Sequence, residues 1–131
     1  MSATRTNHPW AWSTRLLLSG VALGCAGWAL AQPAPPSFVA SPEIYKVIAE
    51  NDKYRVIEVV WKPGQKDKPH SHPDAAVYYV NNCSLRNDFG NGNVATGAPV
   101  AGAARVQGPI GSHTIENIGS SDCRLIMFEP K

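Results

Sequence analysis

Hydrophobic and polar positions alternate over short segments of this chain, which predicts a protein built mainly from β-strands. The clearest segment, 54–61, is rich in Val, Ile and aromatic residues, as strands usually are. Segment 43–49 fits either a short strand or a helical turn, and 90–102 fits a loop or hairpin. Turn-forming residues recur at intervals of roughly 8–12 residues, a spacing typical of β-sandwiches and β-barrels. Besides 43–49, which stays open, the predicted strands are 54–61, 75–80, 83–88, 103–107, 114–118 and 123–129.

Residues 1–31 have the pattern of a secretory signal peptide. A basic start with Arg5 and Arg15 precedes the uncharged apolar run 16–30, and small residues at 29–31 suit cleavage. A membrane anchor is one alternative, but this run is shorter than the roughly 20 apolar residues that a spanning helix needs. Lipidation at Cys25 is another alternative. We expect cleavage after residue 31 and a periplasmic or secreted protein without membrane attachment.

The chain after the leader has the size of one domain. Removal of residues 1–31 leaves 100 of the 131 residues, enough for one hydrophobic core. The Pro- and Ala-rich segment 32–42 is predicted to be a flexible linker, and 43–131 the folded domain. The leader holds two of the 12 basic residues and none of the 10 acidic ones, so the remainder is formally neutral. A neutral domain without a long basic run is not expected to bind nucleic acid.

Two cysteines, Cys83 and Cys123, remain after cleavage of the leader. An oxidising compartment permits a disulfide, and two cysteines allow a single intrachain pairing. The sequence does not show whether the two residues approach each other in the fold. A disulfide and a pair of buried free thiols therefore both remain open.

Three histidines in two separated blocks carry the strongest chemical signal. His70 and His72 form a His-x-His pair, and on a strand both imidazoles lie on one face because side chains alternate. His113, from a distant segment, would complete a set of three nitrogen donors for a divalent metal, with positions left for water or substrate. Several transition metals suit such a site, so Fe, Ni, Zn, Cu and Mn all remain candidates.

Two further residues are candidates for a catalytic role. Tyr78 has the same parity as His72, so its hydroxyl is expected inside the barrel if the strand has no bulge; the alternative is packing with a hydrogen bond at the rim. Arg105 lies on a predicted strand whose orientation the pattern leaves open. If its side chain points inward, it is suited to pair with a substrate carboxylate.

Three other polar residues near the histidines have less direct roles. Asn117 has the parity of His113, so it is a candidate either to orient a metal ligand from behind or to satisfy a turn. Asp74 follows Pro73 and is expected to cap a turn rather than bind a metal. Glu116 is out of phase with His113 and is expected to face solvent.

The spacing around the histidines resembles that of the cupins, which are small jelly-roll β-barrels, also called double-stranded β-helices. The first cupin motif places a Gly shortly before His-x-His, and Gly64 with His70 and His72 matches it in register. The second motif places Pro-x-Gly before a His and Asn after it. Segment 102–117 has this overall spacing around His113, with Pro-x-Gly one residue closer to the His. The resemblance covers residues 50–130 and implies an all-β jelly-roll β-barrel.

The chain departs from the cupin pattern where the first motif requires a Glu. That position falls at Ala76 or Val77, and neither residue binds a metal. The resemblance therefore implies a three-His site, similar to that of cupin-like thiol dioxygenases and some C–C cleaving dioxygenases. Three neutral ligands leave more positive charge on the metal than a carboxylate would, which favours anionic chelating substrates. A metal-dependent small-molecule enzyme of dioxygenase type is the first functional hypothesis.

A non-catalytic cupin that binds a small molecule or a metal outside the cytoplasm is the alternative. The missing Glu and the lack of an evident general base favour it, and export disfavours ferrous-iron chemistry. A third hypothesis is a cupin that keeps its barrel only for packing or oligomerisation. Because cupins often dimerise, the resemblance also implies a homodimer and a small-molecule ligand as partners.

Overall fold

The structure, a computed structural model, describes residues 33–131, so the predicted leader lies outside the described residues. Within this range one helical turn precedes nine β-strands. No helix of the range is long and apolar enough to cross a membrane. The elements are α1 (Ser37–Ala40), β1 (Tyr45–Glu50), β2 (Tyr54–Trp61), β3 (His70–His72), β4 (Ala75–Tyr79), β5 (Leu85–Asp88), β6 (Val94–Gly97), β7 (Ala104–Gln107), β8 (Ile110–Asn117) and β9 (Cys123–Pro130).

The strands form two antiparallel sheets, as the all-β jelly-roll prediction requires. One sheet has the order β1-β2-β9-β4-β7 and the other the order β3-β8-β5-β6. The chain crosses between the sheets after β2, β3, β4, β6, β7 and β8. Each sheet keeps two edge strands among the described residues, so the barrel is not hydrogen-bonded continuously around its circumference. Strand β3 is an edge of the four-stranded sheet, and β7 is an edge of the five-stranded sheet.

The hydrophobic core lies between the two sheets and follows the alternation of the strands. In β4 and β9 every second side chain is buried, which is the pattern of strands with one face toward a core. Strands β2 and β9 pair in register along their whole length. The core residues include Ile44, Tyr45, Ile57, Val59, Trp61, Val77, Tyr79, Leu85, Ile115, Leu125 and Met127.

The structure decides one predicted segment, where the hairpin alternative is confirmed, and extends another. The region 90–102 contains β6, which pairs with β5 as a hairpin. Strand β8 begins at Ile110, before the predicted segment 114–118, because its first residues pair with β3. The period-2 pattern does not show this extension, which comes from pairing with a strand distant in the sequence.

A disulfide joins Cys83 to Cys123, with the two Cα atoms 4.9 Å apart. The bridge decides between the two states that the sequence left open. It connects the segment before β5 with the first residue of β9, and so links the two sheets covalently. The sequence separation of 40 residues corresponds to a stabilisation of about 4 kcal/mol through restriction of the unfolded chain.

The prediction that 32–42 is a flexible linker is wrong for its described part. The N–H of Ser71 in β3 donates to the Pro35 carbonyl at 2.9 Å. The fully buried Ser41 accepts a hydrogen bond on Oγ from the N–H of Lys68 at 2.9 Å. Tertiary hydrogen bonds thus hold a segment whose composition alone predicts disorder. The segment covers the outer edge of β3.

Candidate metal centre

Strands β3 and β8 bring the three predicted histidines together. His70 pairs directly with His113 across the two strands, so both imidazoles lie on the inner face. An irregularity follows His70, and His72 pairs with Ile110; such bulges re-aim side chains. The three histidines are 0%, 6% and 3% exposed in chain order, and one nitrogen of each lies within 4.8 Å of the others.

Each of these histidines places its Nδ1 against an oxygen of the protein. All three oxygens are acceptors, so Nδ1 carries the hydrogen in each ring and Nε2 keeps a lone pair. The three pairs are His70 with the Lys68 carbonyl oxygen at 2.8 Å, His72 with Glu129 Oε1 at 2.6 Å and His113 with Asn87 Oδ1 at 2.9 Å.

The arrangement of the three Nε2 atoms suits a bound metal ion better than hydrogen bonds among the three rings. Nε2 of His70 lies 2.9 Å from Nε2 of His72, and with the hydrogen of each ring on Nδ1 none is left to donate between them. Nε2 of His113 is buried without a hydrogen-bond partner, which costs about 1–3 kcal/mol. A divalent transition metal bound by all three lone pairs would satisfy them at once.

A buried aspartate, Asp67, lies behind His70. Its Oδ2 accepts hydrogen bonds from the Tyr45 hydroxyl at 2.7 Å and from Trp61 Nε1 at 3.1 Å. Its Oδ1 accepts one from the N–H of Ile115 at 2.6 Å and lies 3.6 Å from His70 Nδ1. These three donors fix the Asp67 carboxylate beside the centre.

The two carboxylates change the expected charge of the site. Asp67 and Glu129 are both buried, and within residues 33–131 neither forms an ion pair with Lys or Arg. Buried charges need a counter-charge nearby. A divalent ion on the histidines would supply it and bring the centre near neutrality. In the usual cupin pattern a Glu binds the metal directly. Here the carboxylates lie behind the histidines instead, against the rings of His72 and His70.

Burial favours the uncharged form of His70 and His113, which is the form that binds a metal. It lowers the pKa of His113 to about 3, with positive charge on the neighbouring histidines and on Arg105 adding to the effect. Burial also lowers the pKa of His70, against the opposing influence of Asp67. Burial and the charge of Asp67 raise the pKa of Tyr45 well above its usual value. Near neutral pH His70 and His113 are therefore neutral and available as ligands.

A narrow cavity and a wider cleft lead to the histidines. The cavity beside His72 and His113 has a volume of about 20 Å³, room for about one water molecule. The cleft lies between β6 and β7 and has a volume of about 440 Å³. Four residues line both spaces and so mark the passage from one to the other. They are Tyr79, Leu85, Arg105 and Ile115.

Tyr78 does not point into the barrel, contrary to the sequence prediction. It is 51% exposed on the outer face of β4, and Tyr79 takes the inward position. Alternation does not carry from His72 to Tyr78 because the break at 73–74 separates β3 from β4, and the two strands lie in different sheets. Tyr78 is therefore removed as a catalytic candidate.

Arg105 points inward, the orientation that the sequence left undecided. It pairs across β7 and β4 with the buried Val77, and cross-strand partners have side chains on the same face. The side chain lines the cavity beside the histidines as well as the cleft. Arg105 is also exposed to solvent, so it lies at the mouth of the centre.

Asn117 is buried but does not contact the histidines. Its Nδ2 donates to the carbonyl oxygens of Trp61 at 3.1 Å and Ser121 at 2.8 Å, and its Oδ1 accepts from the N–H of Gly119 at 3.0 Å. Asn117 thus satisfies a turn, which was the second of its two predicted roles. Asp74 is exposed, as expected for a turn residue.

Four residues that support the histidines were missed from the sequence. The sequence does contain a signal for Glu129, because the alternation of β9 places this acidic residue at a buried position. The sequence contains no such signal for Asp67, since it lies between two lysines in a segment that resembles a solvated turn. The residues missed are Tyr45, Asp67, Asn87 and Glu129.

Solved structures show which fold this arrangement belongs to. No family model and no curated protein matches the sequence. A cupin domain from Bordetella pertussis Tohama I matches with a TM-score of 0.62 and 19% identity over 76% of this chain and 98% of that one. An uncharacterized conserved protein with a double-stranded β-helix domain from Klebsiella pneumoniae matches with a TM-score of 0.54 and 22% identity over 66% and 75%. A cupin superfamily protein from Desulfitobacterium hafniense DCB-2 gives 0.51 and 9% over 66% and 75%. The chain has the cupin fold that its histidine spacing predicts.

Proposed function

We propose that this protein binds one divalent transition-metal ion through the Nε2 atoms of His70, His72 and His113. One observation carries the proposal. The three buried imidazoles each use Nδ1 to bind another group, so their Nε2 lone pairs converge without hydrogens between them. Glu129 fixes the ring of His72 through Nδ1, and the Asp67 carboxylate lies 3.6 Å from Nδ1 of His70. Fe, Ni, Zn, Cu and Mn remain the candidate ions.

The finer hypothesis is a metal-dependent enzyme of dioxygenase type that acts on a small molecule. When bound, the metal would supply Lewis-acid or redox chemistry to a ligand at its open positions. The chain itself orients the imidazoles and excludes bulk water from the narrow cavity. The Tyr45 hydroxyl lies 3.2 Å from His70 Nε2, but its hydrogen is directed to Asp67.

The lining of the cavity supports a reaction that needs no protein base. Besides His and carboxylates, few side chains act as general bases, and no carboxylate lines the cavity within residues 33–131. Both histidines that line it are proposed as metal ligands. The titratable side chains of the lining are Tyr45, His72, Tyr79, Arg105 and His113.

A non-catalytic metal-binding protein is the second candidate. The observation that favours it is the cavity of about 20 Å³, which holds about one water molecule and little else. Oxygen uptake by the metal-loaded protein with a panel of small thiols and carboxylates separates the two candidates. Substrate-dependent uptake supports the enzyme. Its absence with every candidate metal leaves the binding protein.

We also propose that the protein acts in the periplasm or outside the cell. The Cys83–Cys123 disulfide supports this location because such bridges persist in oxidising compartments. The leader pattern of residues 1–31 supports it independently. Fractionation of expressing cells, with alkylation of free thiols, tests both: we expect processed, unreactive protein outside the cytoplasm. The homodimer stays a prediction.

The metal content of protein purified without a metal-affinity column tests the central proposal. We expect near one equivalent of a single transition metal in the wild type and almost none in His70→Ala/His72→Ala. Asp74→Ala is the matched control, because it removes an exposed carboxylate close to the pair and should keep the metal. A metal-free wild type that cannot be reconstituted with any candidate ion would contradict the proposal.

A further inference from the structure

Arg105 projects from the open edge of the five-stranded sheet toward the metal centre. Among the described strands β7 pairs only with β4, and its residues alternate between the two faces. Val106 points outward and is 84% exposed, whereas Arg105 lies opposite the inward Val77. Arg105 therefore lines both the cleft and the narrow cavity beside His72 and His113.

The guanidinium of Arg105 has no carboxylate partner among residues 33–131. Arg55 and Arg124, by contrast, form ion pairs with glutamates on the surface. Apart from the histidines, Arg105 is also the sole charged side chain that lines the cavity or the cleft in the described part of the chain. Its donors are thus free to bind an anion that enters there.

The surroundings define what kind of anion fits. Arg105 adds a positive charge at the mouth of the centre, so the surroundings favour an anionic ligand. A carboxylate is smaller and flatter than a tetrahedral phosphate, so it is the anion better suited to the narrow mouth that Arg105 lines. The cleft is lined largely by small apolar residues, among them Ala95, Ala98 and Pro99, which suit a short carbon chain.

We propose that Arg105 binds the carboxylate of a small ligand that chelates the metal through a second oxygen, such as a 2-hydroxy or 2-oxo acid. The guanidinium fork and a carboxylate match in geometry and can form two parallel hydrogen bonds. Arg105 is then the residue that selects acids over their uncharged analogues. This inference rests on the proposed metal site at the three histidines.

Binding of glycolate to the cobalt-loaded protein tests the proposal. Coordination of the ligand changes the visible absorption of Co²⁺, and glycolamide is the uncharged analogue of similar size. We expect saturable binding of glycolate and at least about tenfold weaker binding of glycolamide, as for loss of a hydrogen bond to a charged group. Arg105→Gln should lose about tenfold or more in glycolate affinity and leave glycolamide unchanged, whereas Arg105→Lys should retain part of the affinity.

Arg86→Gln is the matched control for the loss of one positive charge. Arg86 is exposed on β5, between two residues that line the cleft, and so lies on the opposite face. The Arg86→Gln protein should bind cobalt and glycolate with the affinities of the wild type. Equal glycolate affinity in Arg105→Gln and the wild type would overturn the role of Arg105. Bound cobalt without any response to glycolate or the larger mandelate would overturn the ligand class, and failure to bind cobalt would overturn the metal site as well.

Discussion

The two edge strands that flank the centre differ in how they are held. Strand β3 carries His70 and His72 and is hydrogen-bonded on both sides, by β8 and by the segment before β1. Strand β7 carries Arg105 and has no partner on its outer side among the described strands. The covered edge fixes the metal ligands, whose geometry must be set in advance, and the open edge presents the residue that meets the incoming ligand.

The largest expected effect of a single substitution at the covered edge is that of Asp67→Asn. The amide would leave donors from Tyr45, Trp61 and Ile115 without full acceptors in a buried network. We expect a loss of about 3 kcal/mol or more in the free energy of unfolding. Metal affinity should fall as well, because His70 loses the negative charge behind it.

Urea unfolding in chelator and a separate metal titration measure the two effects of Asp67→Asn. Asp74→Asn is the control, because it makes the same chemical change on an exposed turn and should stay within about 0.5 kcal/mol of the wild type. If Asp67→Asn matched this control in both measurements, the buried carboxylate would have no part in holding the centre.

Taken per pH unit, the pH dependence of the metal-free protein is the next effect in size. The folded state lowers the pKa of His113 from 6.5 to about 3. As pH falls below 6.5, the unfolded chain therefore takes up a proton that the folded chain does not. We expect this group to reduce the free energy of unfolding by up to about 1.4 kcal/mol per pH unit until the pH approaches 3.

Urea unfolding in chelator at a series of pH values measures this dependence. His113→Gln removes the titrating group and should flatten the profile by that amount, while the contributions of other groups persist. Identical slopes for the wild type and His113→Gln would show that His113 is not held neutral by burial.

The smallest effects come from a matched pair of substitutions at the two edges. Ser41→Ala removes the acceptor of the Lys68 N–H, and the carbonyl of the same residue holds His70. We expect a loss of about 1–2 kcal/mol together with weaker metal binding. Val106→Thr on the open edge should change stability by no more than about 0.5 kcal/mol and leave metal binding unchanged. Equal effects at both edges would remove the distinction between them.

The sequence predicted the parts of the centre that follow local rules. The alternation of side chains predicted most strands, because it depends on each strand alone. The His-x-His pair and the distant third His predicted the ligand set, because the spacing of these motifs is a property of the sequence. Tyr78 was misplaced because the chain changes sheets between β3 and β4, and parity holds only within one strand. The direction of Arg105 required its partner on β4, which no local pattern reveals.

The support behind the ligands was the least predictable part. Asp67 becomes buried only because Tyr45, Trp61 and Ile115 converge on it from separate strands. The segment 32–42 has the composition of a linker and is held by tertiary hydrogen bonds to the neighbourhood of β3. Both features depend on contacts between residues far apart in the sequence, and composition does not report such contacts.

Binding of a metal by three Nε2 atoms is tested most directly by a crystal structure of the cobalt-loaded protein with an anomalous difference map. One strong peak bounded by Nε2 of His70, His72 and His113, with Nδ1 of each ring still on Lys68, Glu129 and Asn87, is the predicted result. A peak held by Nδ1 atoms or by Asp67, or no peak at the histidines, would contradict it.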